Sequence, residues 1–78
     1  SIKLPLTISI KSTDYKKILY LEEVLTSIDL ISNFYILKFN NKFIQYRIIY
    51  NGSPKTFFNN MNNKYFDLVM ENNVWTVK

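Results

Sequence analysis

YILKFNNKFIQYRIIY, residues 35–50, is the stretch on which the fold turns. Tyr35, Leu37 and Phe39 alternate with other residues before Asn40-Asn41, and Ile44, Tyr46, Ile48 and Tyr50 do so after it, which is the period of half-buried strands. A two-residue turn at Asn40-Asn41 pairs Phe39 with Lys42, Leu37 with Ile44 and Tyr35 with Tyr46. Both apolar sets then share one sheet face, whereas a slip of one residue would part them. Asparagine accepts the positive φ that such a turn requires.

Working outward, Leu4, Leu6, Ile8 and Ile10 alternate in the same way and mark a first strand with Pro5 near its start. The period then changes. Ser12, Thr13 and Asp14 supply capping oxygens, and Ile18, Leu21, Val24, Leu25 and Ile28 recur at steps of three and four, predicting an amphipathic helix from Tyr15 to about Asp29. Beyond Tyr50, Asn51-Gly52 ends the strand, and Ser53-Pro54 reads as N-cap and first turn of a shorter helix carrying Phe57, Phe58, Met61 and Tyr65. Its asparagines are poor helix formers, so packing has to hold it. Phe66, Leu68 and Met70 alternate next, Asn72-Asn73 turns the chain, and the register pairs Met70 with Trp75 and Leu68 with Val77.

The resulting order is β-α-β-β-α-β-β. It predicts a single small α+β domain spanning residues 1–78: a ferredoxin-like β-α-β-β-α-β sandwich, with an antiparallel sheet, two helices on one face and an extra C-terminal hairpin strand. The expected strand order is 4-1-3-2, with the last strand added beyond strand four and right-handed crossovers placing both helices on one side. The abrupt opening at Ser1 on a strand-like run reads as a piece of a longer protein.

Composition narrows the function. Seventy-eight residues bury only about 60 to 65% of the surface the unfolded chain exposes, which leaves little room for a deep cleft. With no cysteine and no histidine, thiolate nucleophiles, disulfides, imidazole bases and the usual zinc ligands are missing. Ten Asn, ten Ile and nine Lys against no Ala, one Gly and one Arg are the imprint of an AT-rich genome, so the asparagines carry little functional meaning. No apolar run reaches the roughly 18 to 20 residues of a membrane span.

The six carboxylates, Asp14, Glu22, Glu23, Asp29, Asp67 and Glu71, have no evident reason to converge. A carboxylate-only enzyme would need Asp67 or Glu71 buried in a pocket. One glycine cannot build a phosphate loop. Hence no catalytic residue, cofactor or metal is expected. Asn51-Gly52-Ser53 matches a glycosylation acceptor but is better explained as a turn into a helix cap, and Trp75 is expected in the core.

The sheet face away from the helices is the surface of interest. By phase it should carry Thr7, Ser9, Lys11, Ile36, Lys38, Phe43, Gln45, Arg47 and Ile49. Ile36, Phe43 and Ile49 make it partly apolar, as a docking surface for a protein partner or a neighbouring domain would be. Lys11, Lys38 and Arg47 could form a basic patch. That suggests the alternative of single-stranded nucleic-acid binding, but Lys42-Phe43-Ile44-Gln45-Tyr46 lacks the strand signature of an RNA-recognition module, so nucleic acid is the less favoured partner.

Asp14-Tyr15 at the helix start, Ile28-Asp29-Leu30-Ile31, Tyr50-Asn51-Gly52-Ser53 and the closing Val74-Trp75-Thr76-Val77 fall in a further pattern. Together they make residues 14–78 resemble the C-terminal segment of a proteobacterial family of uncharacterised, predicted exported, envelope-associated proteins. Similar βαββα units serve as ring-building modules in secretion systems. The resemblance implies a periplasmic or envelope location, with the cytoplasm as the alternative, and an interaction role without a known activity.

Overall fold

In the computed structural model, which describes residues 4–62 and 64–78, the alternating and helical periods become seven elements. They are β1 (Leu4–Lys11), α1 (Tyr15–Ser27), β2 (Ile31–Phe39), β3 (Phe43–Tyr50), α2 (Pro54–Met61), β4 (Leu68–Glu71) and β5 (Val74–Val77). Asp14 caps α1 by accepting from the Lys17 N–H at 3.4 Å, and Ser53 caps α2 by accepting from the Thr56 N–H at 3.1 Å with Pro54 in the first turn. α2 stops at Met61, short of Tyr65. There Asn62 turns its Oδ1 to accept from the Leu68 N–H at 3.0 Å, tying the connection to β4.

The strands form one mixed sheet in the order β2-β3-β1-β5-β4. The chain is therefore α+β with a five-stranded sheet and two helices, but the wholly antiparallel sheet and the position of the last strand need correction. β5 lies between β1 and β4, parallel to β1, with Ile8 opposite Trp75 and Ser9 opposite Thr76. The two arms of the terminal hairpin differ in how far they are buried. β5 sets Val77 into the core and stacks Trp75 on Phe58 at 4.9 Å, whereas β4 buries Leu68 and leaves Val69 and Met70 exposed. The more buried arm, β5, holds the inner place beside β1.

Within that hairpin the expected pairs are present, Met70 with Trp75 and Leu68 with Val77, around Asn72 and Asn73 at φ 51° and 65°. Both residues sit in the left-handed region that a two-residue turn of this twist demands. The β2–β3 turn is built differently. Asn40 accepts through Oδ1 from the N–H groups of Lys42 and Phe43 at 2.8 and 3.0 Å, and its own N–H donates to Phe43 O at 2.9 Å. The turn therefore centres on Asn41-Lys42, and Phe39 pairs with Ile44. A side-chain oxygen does the work of positive φ.

Both helices lie on the face formed by Leu6, Ile8 and Ile10 of β1 and Tyr46, Ile48 and Tyr50 of β3. Leu21, Val24 and Leu25 come from α1, Phe57 and Met61 from α2, with Phe66, Leu68 and Val77 closing the C-terminal side. Phe57 and Met61 are fully buried, and burial of a side chain of that size is worth about 1.5–3 kcal/mol. That offsets the poor helix propensity of Asn59 and Asn60. Gly52 is required by close approach: a Cβ there would lie 2.7 Å from Cε2 of the buried Tyr50 ring.

Candidate functional site

β2 is an edge strand, and its register sets what the protein offers to partners. Two irregularities interrupt its pairing with β3, one between Ile31 and Asn33 and one between Ile36 and Lys38. Between them the ladder runs Asn33 to Ile49, Phe34 to Ile48, Tyr35 to Arg47 and Ile36 to Tyr46. Each bulge inserts one residue and exchanges the faces. Ile36 therefore stands beside Tyr46 on the helix side, not on the open face where unbroken alternation would put it. Tyr35 takes its place on the open face, next to Arg47.

The other expected surface residues occupy the open face. Lys11 lies opposite Phe43 across β1 and β3, and Lys38 lies opposite Gln45 across β2 and β3. Lys38 Nζ sits 5.8 Å from the centre of the Phe43 ring, a cation–π distance. Arg47, flanked by Thr7 and Tyr35, has its Nε buried without a hydrogen-bond partner among the described residues. It is two same-face positions from Phe43, about 13 Å along the strand. Ile49 continues the row, and Phe43, Arg47 and Ile49 are all half-buried. A shallow concavity of about 560 Å³ lies beside Phe43, lined also by Ser9, Lys11, Gln45, Val74 and Thr76.

Apolar side chains are also exposed along β2 and on α1. Phe39 is 73% exposed, Ile36 49%, Tyr35 46% and Leu37 41%, and Leu19 on α1 is 65% exposed. Helix α1 meets β2 at the strand's start, where Leu25 and Thr26 lie beside Ile31 and Phe34. Its Glu22, one turn beyond Leu19, accepts the phenolic hydrogen of Tyr46 at 2.5 Å and ties the helix to β3 as well. Burial, the hydrogen bond to Glu22 and its negative charge together push the Tyr46 phenol well above its ordinary ionisation range. Further along β2 the helix-side residues Ile36 and Phe39 stay exposed.

Composition and simple alternation miss this edge. The uninterrupted run Phe34-Tyr35-Ile36-Leu37 was the available signal, because an edge strand that is apolar in both phases must expose one of them.

Asp67 and Glu71, whose burial a carboxylate-based site would require, are both exposed. Among the described residues no three or more Asp or Glu side chains gather as metal ligands. No helix among them is long and apolar enough to cross a membrane. Asn51-Gly52-Ser53 forms the turn into α2: the Asn51 N–H donates to Leu30 O at 2.8 Å and Ser53 is the cap. Compared with family models, with characterised proteins and with solved structures, the chain matches none.

Proposed function

We propose that this chain is a non-enzymatic protein-interaction or domain-docking module and that its principal contact surface is the outer edge of β2. The observation that carries the reading is the exposure of Tyr35, Ile36, Leu37 and Phe39 on one strand, interrupted by a single charge at Lys38. Tyr35 faces the open side and Ile36 and Phe39 the helix side, so a partner on this edge would cover apolar side chains of both faces, as interaction sites do. The half-buried Phe43 and Ile49 of the open face offer less. A photo-crosslinking residue at position 37, introduced in producing cells, tests the proposal: adducts to protein that fall away with Phe39→Asp are expected, and no protein adduct of any mass would sink it. The envelope location implied by the resemblance belongs to the same proposal and is checked by fractionating those cells.

The fold is in this reading a ferredoxin-like sandwich widened by β5. Its first six elements run β-α-β-β-α-β, and removing β5 leaves β4 beside β1, as that arrangement requires.

One observation supports nucleic acid as a second reading. With Tyr35 turned outward, the open face carries Tyr35 and Phe43 together with Lys11, Lys38 and Arg47, the pairing of rings and cations that single strands use. Fluorescence anisotropy with labelled oligonucleotides at two salt concentrations decides it. Salt-sensitive binding lost on Phe43→Ser is expected under this reading, and no binding at low salt removes it.

A further inference from the structure

Resting on the interaction-module reading, we infer that the occupant of the β2 edge is a second copy of this chain, paired antiparallel about a two-fold axis at Tyr35. An edge strand presents backbone donors and acceptors whose natural complement is another strand, and the same edge on two copies makes an isologous contact. The bulges leave two registers, each with one residue facing an extra residue, and the side chains choose between them. Regular pairing on β2 extends only from Asn33 to Ile36. Opposed residues of an antiparallel pair share a face, so a two-fold axis normal to the sheet must pass through a residue, not between two. Centred on Phe34, it would set Asn33 against Tyr35 and leave Ile36 facing the bulge at Ser32. Centred on Tyr35, it leaves Asn33 facing the bulge at Leu37 but sets Phe34 against Ile36 twice on the helix side and Tyr35 against Tyr35 on the open side. Aromatic and β-branched residues are the favourable cross-strand partners.

The same register brings Phe39 over the Ile31 end of the other copy, beside Leu30, which is itself 41% exposed. Lys38 then lies opposite Ser32, so no like charge faces it. Taking full aromatic side chains at about 200 Å² and aliphatic ones somewhat smaller, the exposed fractions of Leu30, Tyr35, Ile36, Leu37 and Phe39 provide roughly 450 Å² per copy. Stable complexes bury about 800 Å² per partner. Backbone and polar neighbours raise the total towards that figure without reaching an obligate interface, so the dimer is expected to be reversible.

The chain has no cysteine, so a single introduced thiol reports on the axis. Opposed residues of an antiparallel pair hold their Cα atoms about 4.5–5.5 Å apart, within disulfide range. Sedimentation equilibrium across the micromolar range should show a monomer–dimer equilibrium. Tyr35→Cys should oxidise to a covalent dimer far faster than Phe43→Cys, which lies off the edge. Phe39→Asp, an exposed position that leaves the circular dichroism spectrum unchanged, should raise the dimer dissociation constant at least tenfold. A chain that stays monomeric throughout the range, or a Tyr35→Cys chain that oxidises no faster than Phe43→Cys, overturns the second copy as occupant. Adducts from position 37 to a different protein would then leave the module reading standing, while their absence would remove that as well.

Discussion

Glu22 on α1 accepts the Tyr46 phenolic hydrogen at 2.5 Å, and this contact ties the helix to β3, while Ile36 and Phe39 further along the neighbouring β2 stay exposed. Tyr46 is 1% exposed, so its oxygen depends on this partner. The contact therefore bears on stability.

Its first consequence is at high pH. An ordinary tyrosine loses its proton near pH 10, and in the folded chain burial, the bond to Glu22 and the charge of Glu22 hold Tyr46 protonated beyond that point. The folded-state value is the higher one, so the contribution is fully present below pH 10 and is lost as pH rises through the folded-state value. The unfolded chain then gains stability by ionising. Denaturant midpoints measured from neutral to strongly alkaline pH should fall for the native chain above about pH 10 and fall less for Tyr46→Phe. At neutral pH that variant should lose about 1.5–3 kcal/mol, the range for hydrogen bonds to charged groups. Equal alkaline slopes in the two chains would contradict the assignment.

Gly52 and Tyr50 make a second test. The Tyr50 ring is fully buried, packs edge-on against Phe57 at 5.3 Å between centres, and leaves 2.7 Å for a methyl group at position 52. Since the ring has no free space to move into, Gly52→Ala should destabilise the fold by about 1–3 kcal/mol, the usual cost of overpacking. Thermal melts of the two chains check it.

Core and edge aromatics should separate sharply. Phe57→Ala removes a fully buried ring and should cost about 3–5 kcal/mol, enough to unfold much of a domain this small. Phe39→Ala, at a mostly exposed position, should stay within about 0.5 kcal/mol at concentrations where the chain is monomeric. Denaturant curves of both variants measure the contrast.

The parts of this fold legible in the sequence are those where one local rule acted without competition. Asp14 and Ser53-Pro54 announce helix starts, and Asn72-Asn73 between alternating arms sets the last hairpin to the residue. Legibility failed where two solutions were locally equivalent. In Phe34-Tyr35-Ile36-Leu37 every position is apolar, so nothing local shows that Leu37 bulges and that Ile36 changes face. Likewise both arms of the terminal hairpin alternate, and nothing local shows that β5 lies inside. Of the candidate surface, Lys11, Lys38, Phe43, Arg47 and Ile49 could be assigned to the open face from periodicity. The exposed β2 edge could not, because it depends on where α1 meets β2.

The two asparagine turns should respond oppositely to the same substitution. Asn73 sits at φ 65°, where glycine has no Cβ to clash and asparagine is only tolerated, so Asn73→Gly should stabilise the chain by up to about 1 kcal/mol. Asn73→Val, β-branched in a left-handed position, should cost about 1–2 kcal/mol. At the β2–β3 turn no residue has positive φ, so Asn41→Gly brings no relief of strain and costs a few tenths of a kcal/mol through added freedom of the unfolded chain. There the sensitive residue is Asn40, whose Oδ1 accepts from two backbone N–H groups, and Asn40→Ala should cost about 1 kcal/mol. Denaturant midpoints of the four variants check the pattern. If glycine at 41 stabilised as much as glycine at 73, the two turns would share one geometry, and Asn40 would not be what holds β2 against β3.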